Sequence, residues 1–292
     1  DAMKKIVLCP NPYRDRQLLI TKKVMELLRE MGMQCVVSLP FSVDPADIPG
    51  SVACQPMKAA IKDADLMIAF GGDGSMLHLA KTAAMHRIPI LGINLGNLGY
   101  ITELDGTELS LLRKLKQKNL KRESRMMLDV RVYRGDKQVY SNIVLNDAVI
   151  TKGAVARVVK LQLSLNQKEF IHMGGDGLIF ATPTGSTAYS LSAGGPIVDP
   201  AAQNILITPI CAHALISSSY VLGPEQTIEV SCANNGNKTV YLSADGGKAF
   251  LLKEGDRVAI RRSKYVTELI KLKDRSFYET LREKMANREL IK

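Results

Sequence analysis

The sequence predicts an α/β, Rossmann-like amino-terminal domain followed by a β-rich, β-sandwich-like carboxyl-terminal domain. Three observations predict it. Up to residue 118, short apolar runs alternate with segments of helical spacing, the pattern of a parallel sheet with helices on its faces. From Met127 onward the period becomes two, and turn residues separate the runs. Each half also carries one Gly-Gly-Asp-Gly bend, at Gly71–Gly74 and at Gly174–Gly177.

Lys4 to Cys9 reads as the first strand. Asp15 to Met31 places Leu18, Leu19, Val24, Leu27 and Leu28 at helical spacing, and Gly32 fits a helix stop. Met33 to Leu39 reads as a strand, and the proline-rich segment Pro40 to Gly50 as loop. Asp65 to Phe70 is a compact apolar strand, Ser75 to His86 a helix, Ile88 to Asn94 a strand, and Thr107 to Lys118 a basic amphipathic helix. In the second half, Met127–Arg134 pairs with Gln138–Leu145 around Gly135, and Val155–Leu165 with Glu169–Met173 around Asn166-Gln167. Further strands are expected at Thr227–Cys232, Lys238–Ser243 and Arg257–Ile260, with turns at Asn234–Asn237 and Asp245–Gly247. A helix is expected to begin near Ser186 or Thr187, and a charged one to cover Ser276–Arg288. The expected division is residues 1–123, 124–270, and a tail, 271–292, that returns to the first domain; Asp1-Ala2, before Met3, is set aside from the fold reading.

With 46% hydrophobic and 23% charged residues, the composition is that of an ordinary globular protein. No apolar run reaches membrane-spanning length and no signal-peptide layout opens the chain, so a soluble cytoplasmic protein is expected. Cys9, Cys35, Cys54, Cys211 and Cys232 are scattered and read as buried, reduced thiols. His78, His86, His172 and His213 lack metal-ligand spacing, so no metal site is expected on the protein. The net charge of +10 concentrates in Arg113–Arg125 and Arg261–Arg275. Without tryptophan or basic-aromatic interleaving, these runs read as solvated helix faces or tails rather than a nucleic-acid surface, and their field favours polyphosphate ligands.

Gly71-Gly72-Asp73-Gly74-Ser75 follows a buried strand and opens a helix, where backbone N–H groups and the helix dipole suit phosphates. Asp73 would repel phosphates. It makes sense either as a group that takes a proton from an attacking hydroxyl or as a turn-stabilising cap. The pattern is neither the Gly-x-Gly-x-x-Gly dinucleotide fingerprint nor a Walker loop. Gly92–Tyr100, with Asn94, Gly96 and Gly99, follows the next strand and reads as another wall of the same cleft or as a plain turn. Asn146-Asp147 offers an amide for a base edge and an acceptor for ribose hydroxyls, or merely closes a strand. Gly174–Ile197, dense in glycine and hydroxyls, reads as a poor core and a good ligand surface.

Gly71–Ser75, Asn146-Asp147, Gly175-Asp176-Gly177-Leu178-Ile179, the Thr182–Ser190 run and Gly194–Ile197, in this order, resemble the bacterial NAD kinases from about residue 4 to 270. The resemblance implies phosphorylation of the adenosine ribose 2′-hydroxyl of NAD by ATP with Mg²⁺ or another divalent cation, an α/β and a β-rich domain with the active site between them, and a homo-oligomer, tetramer or dimer. It implies that Asp73 is the catalytic base and that Gly72, Gly74 and Ser75 hold phosphates. Asn146 would bind adenine and Asp147 ribose; Gly74, Asp176, Thr187, Ala188, Tyr189, Ser192 and Asp245 would complete the dinucleotide site. Ser75 stands for the family's usual Thr, Asp147 where Glu is common, and Ala212 for a Pro before His213; Ser219 and Tyr220 lie where the family has Arg-Pro. His213 reads as a structural hydrogen-bonder. The competing readings are a lipid kinase of the diacylglycerol type, sharing the glycine bend, and a non-catalytic dinucleotide sensor.

Overall fold

The computed structural model describes residues 3–153, 158–212, 218–232 and 239–289. His213 and the expected Asn234–Asn237 turn lie outside the described residues. The chain forms two compact units, Asp1–Ser124 with Thr267–Lys292, and Arg125–Val266.

In the first unit, five strands run parallel in the spatial order Gln34–Val37, Lys5–Pro10, Leu66–Gly71, Ile90–Asn94, Leu104–Asp105. The three central strands carry near-continuous burial, as expected of parallel strands covered on both faces. Ile6, Leu8, Ile68, Phe70 and Ile93 share one core with Val24 and Leu28 of the helix Leu19–Glu30. That helix begins where Asp15, buried, accepts the N–H groups of Ile20 and Thr21 and the Thr21 hydroxyl. It ends where Gly32 and Met33 donate to the Arg29 and Leu28 carbonyls, closing the last turn.

Thr107–Lys118 departs from the expected α-helix: Leu109–Lys116 is 3₁₀. Leu109, Leu112 and Leu115 recur every third residue and join the same core, which matches three residues per turn. Chain from the far end of the sequence packs beside it. Glu103, buried, accepts the N–H groups of Leu272 and Lys273 and pairs with Lys271, and Lys114 donates to the Leu272 carbonyl.

The second unit is built from two sheets. In one, Lys168–Gly175, Val159–Leu165, Ile228–Cys232 and the strand Asp256–Lys271 lie side by side antiparallel, and Lys121–Arg134 pairs with both Asp256–Lys271 and Lys137–Val144. The other runs Tyr220–Leu222, Ile205–Ile210, Gly177–Ala181, Asp147–Lys152, Val240–Ala244, Phe250–Leu252, all antiparallel. Alternate residues from both sheets, among them Leu128, Val130, Leu161, Ile150, Phe180 and Leu242, fill a single core, the layering of a sandwich.

Four expectations change here. Gly174–Ile197 reads as poor core in the sequence, yet Gly177–Ala181 is a central strand buried along its whole length. Leu178 and Phe180 face the core between the sheets, while Ile179 and Ala181 pack on the outer face with Val149, Leu206, Ala193 and Val198. The Arg261–Arg275 run, read as helix face or tail, is largely strand: Asp256–Lys271 spans 16 residues, Val258, Ile260, Ser263, Thr267 and Leu269 are buried, and Arg257, Arg261, Arg262 and Lys264 are exposed. The helix expected near Ser186 is only a 3₁₀ turn, Thr184–Thr187, and one α-turn, Tyr189–Ser192. Of the cysteines, Cys9 is buried, but Cys54 and Cys211 are exposed; all five are free.

Candidate functional site

In the first unit the strand order reverses between Lys5–Pro10 and Leu66–Gly71, because Gln34–Val37 lies on one side of the first strand and all later strands on the other. Loops leaving such a reversal part in opposite directions and open a crevice at the carboxyl ends of the strands. A cavity of about 490 Å³ lies there, within the usual range for a small-molecule site. Asn11 and Arg14 follow the first strand, Gly71–Ser75 the third, and Asn94, Gly96 and Asn97 the fourth; Phe41 and His78 complete the lining. Thus Gly72, Asp73, Gly74, Ser75, Asn94 and Gly96, all singled out in the sequence, share one hollow. Arg14, Phe41 and His78 were missed. The rule that loops after parallel strands gather at a strand-order reversal would have pointed to Arg14, but nothing local in the sequence marks Phe41.

Gly72 caps the helix Asp73–His86 in extended conformation, so the amino end of a 14-residue helix lines this hollow; the Ser75 N–H donates to the Gly72 carbonyl at 3.0 Å. Asp73 is the first helical residue. Its Oδ2 accepts from Tyr100 N at 2.7 Å, and its Oδ1 from Ile101 N at 3.0 Å and Thr102 N at 3.4 Å. A Cβ on Gly99 would strike the Asp73 carboxylate and the Thr102 hydroxyl, so glycine permits this approach. A carboxylate offers about four lone-pair positions, so with three in use one acceptor position is left for a ligand. Nearby, Asn94 donates from Nδ2 to Gly96 O at 3.0 Å and to Asp105 Oδ1 at 3.3 Å, but its buried Oδ1 has no partner. A buried acceptor without a donor is costly, and a ligand hydroxyl or amine would satisfy it. Arg14 brings a guanidinium to the rim: a Cβ on Gly96 would lie 3.9 Å from its Nη1.

The second unit gathers the other group of sequence-predicted residues. Asn146 and Asp147 lie at the start of the strand Asp147–Lys152, and Asp245 lies just beyond Val240–Ala244, its pairing neighbour. The Asp245 carboxylate accepts from Leu145 N and Asn146 N at 2.7 Å and from Asp147 N at 3.0 Å. The Gly185 backbone packs directly on that of Asn146, where a side chain would collide, and this sets Thr184–Thr187 beside Asn146. Thr182 reinforces the turn by donating from its hydroxyl to Leu145 O at 2.5 Å and from its N–H to Asn146 O at 2.9 Å. Asn146 Oδ1, like that of Asn94, is buried without a partner.

Burial pushes the Asp147 carboxyl up to about 7, helped by the neighbouring Asp245 charge. Burial likewise raises Asp245 to about 6, against the pull of its three N–H donors. Asp176 ion-pairs with Lys152 at 2.7 Å, and its carbonyl accepts from Lys152 N. In the Thr182–Ser192 segment, Ser186 and Ser190 are buried and serve the fold, bonding Val198 and the Thr208 hydroxyl. Tyr189 and Ser192 are exposed, and Thr187 and Ala188 half-buried. Among the described residues, no three His, Cys, Asp or Glu side chains cluster as a metal cage, and no helix is long and apolar enough to cross a membrane.

Residues 6–118 match the family model of the ATP-NAD kinase N-terminal domain, and residues 145–272 that of the ATP-NAD kinase C-terminal domain. The chain is 38% identical over 287 residues to the NAD kinase of Caldanaerobacter subterraneus subsp. tengcongensis, covering 98% of this chain and all of that one. It is 44% identical over 227 residues to the NAD kinase of Carboxydothermus hydrogenoformans, covering 77% and 81%. Among solved structures, yeast NADH kinase complexed with NADH superposes with a TM-score of 0.85 at 22% identity, covering 98% of this chain and 88% of that one. An NAD kinase from Archaeoglobus fulgidus in complex with ATP gives 0.73 at 23%, covering 95% and 98%. At such identities these two likenesses speak to fold. With both family models and full-length relatives in agreement, this chain belongs to the NAD kinase family.

Proposed function

We propose that this chain is an NAD kinase that transfers the γ-phosphoryl group of ATP to the adenosine ribose 2′-hydroxyl of NAD, giving NADP. One observation carries the site assignment: the Asp73 carboxylate and the amino end of a helix, Gly72–Ser75, line the same hollow. A phosphate site alone has no use for an acid. An acid beside phosphates suits a reaction in which a hydroxyl must be oriented and relieved of its proton.

In this reading Asp73, fixed by the Tyr100–Thr102 backbone, uses its remaining acceptor position to hold the attacking hydroxyl and take its proton. Gly72, Gly74 and Ser75 hold phosphates. Transfer to an alcohol is mostly positioning and charge neutralisation, which backbone donors and one guanidinium, Arg14, suit well. Asn146 presents its bare amide oxygen to the adenine amino group, and Asp147 serves the ribose. Asp176, Thr187, Ala188, Tyr189 and Ser192 contact the rest of the dinucleotide. Asp245 acts by holding the turn that presents Asn146 and Asp147. A divalent cation entering with the donor as MgATP would neutralise phosphate charge. A cytoplasmic homo-oligomer belongs to the same reading, and light scattering checks the assembly.

Incubation with NAD, ATP and Mg²⁺ is expected to yield NADP, and chelation of the cation to stop its formation until Mg²⁺ is restored. Tight NAD binding with no NADP formed would make the protein a sensor, and phosphorylation of diacylglycerol in place of NAD would make it a lipid kinase.

A further inference from the structure

One wall of the first unit's cavity does not suit phosphates. Phe41 lines it from the loop after Gln34–Val37, and His78 from the second turn of the helix Asp73–His86. The two rings lie 5.5 Å apart, and Tyr13, on the loop after the first strand, stacks on Phe41 at 6.3 Å with an interplanar angle of 7°. Two rings from separate segments thus line a hollow floored by glycine, and Tyr13, stacked on Phe41, is 62% exposed. Aromatic faces left open to water beside an anion site are the usual seat of a nucleobase.

We propose that Phe41, backed by Tyr13 and flanked by His78, is the stacking platform for the purine of the phosphoryl donor. The donor's triphosphate then reaches Arg14 and the amino end of the helix at Gly72–Ser75. The partnerless Asn94 Oδ1 in the same cavity points the same way, because it needs an O–H or N–H donor. A nucleotide brings sugar hydroxyls; a bare inorganic polyphosphate chain brings acceptors. Ring wall and orphan acceptor together select a purine nucleoside triphosphate over polyphosphate. This rests on the reading of the cavity as the donor site, and the test is made on binding, so it is decided whether or not the protein turns NAD over.

Calorimetric titration of the whole chain with MgATP and with magnesium tripolyphosphate separates base from phosphates. MgATP is expected to bind at least about tenfold more tightly, the factor one base–aromatic stack supplies. Phe41→Ala is expected to weaken MgATP about tenfold and tripolyphosphate less than twofold, and Phe41→Trp to restore MgATP affinity. Equal affinity of the wild type for the two ligands would overturn the proposal without recourse to any variant. So would an unchanged MgATP affinity in Phe41→Ala, or an equal loss for both ligands. Absence of NADP formation, by contrast, would remove the kinase reading and leave these titrations to stand or fall by themselves.

Discussion

Asp73 in the first unit and Asp245 in the second use one hydrogen-bonding device. Each aspartate adjoins glycine, and each carboxylate accepts three consecutive backbone N–H groups, Tyr100 to Thr102 in one case and Leu145 to Asp147 in the other. Their surroundings differ. Asp73 opens a helix at the edge of a hollow that also holds Arg14 and His78. Asp245 sits beside a second carboxylate, Asp147, and burial raises both. The same three bonds therefore serve two ends. In the first unit they hold a carboxylate where a ligand can reach it. In the second the carboxylate holds the backbone, and the ligand-facing groups are its neighbours.

The largest effect that sharpens this contrast is on turnover. Asp73→Asn is expected to lower kcat by about 10²–10⁴-fold, the range for removing a general base, with nucleotide binding and circular dichroism retained. Turnover within a few-fold of wild type would take Asp73 out of the chemistry.

A smaller effect, on stability, tests the second cluster. Asp147 holds its proton more tightly folded, at about 7, than at the ordinary value of 3.8. Its contribution to stability is complete below about pH 4 and is lost as pH rises through 7. Asp147→Asn removes that loss. Its melting temperature is expected to exceed that of the wild type by roughly 3 °C or more at pH 8, with the gain vanishing near pH 4. A gain that is constant with pH would mean that the Asp147 carboxyl is not raised. The smallest effect is on substrate affinity. Tyr189→Ala is expected to raise the KM for NAD about fivefold, the equivalent of ~1 kcal/mol, and that for ATP less. The reverse ordering would move the Tyr189 segment to the donor side.

Much of the first unit was legible because parallel strands buried on both faces stand out as apolar runs, and the Gly-Gly-Asp-Gly bend stands out at the end of one. The second unit was legible where hairpin residues punctuate it, as at Asn166-Gln167, both of which adopt positive φ. Gly177–Ala181 was hidden because its glycine-rich flanks suggested a surface, while the Leu-Ile-Phe-Ala run is buried by both sheet faces. Arg261–Lys271 was hidden because exposed arginine and lysine interrupt an alternation whose inward members include Ser263 and Thr267. The grip on Asp73 carries no side-chain signal at all, since its donors are backbone N–H groups of Tyr100, Ile101 and Thr102. The shared role of Arg14, Phe41 and His78 depends on strand order, which single-sequence patterns do not encode.

Single-turnover formation of NADP by Asp73→Asn and Asp245→Asn, at saturating NAD and MgATP and at a temperature where both are folded, tests the division of labour most directly. The expected result is a phosphoryl-transfer rate reduced about 10²-fold or more in Asp73→Asn and less than about tenfold in Asp245→Asn, whose defect falls on NAD affinity and melting temperature. A transfer rate lower in Asp245→Asn than in Asp73→Asn would contradict it.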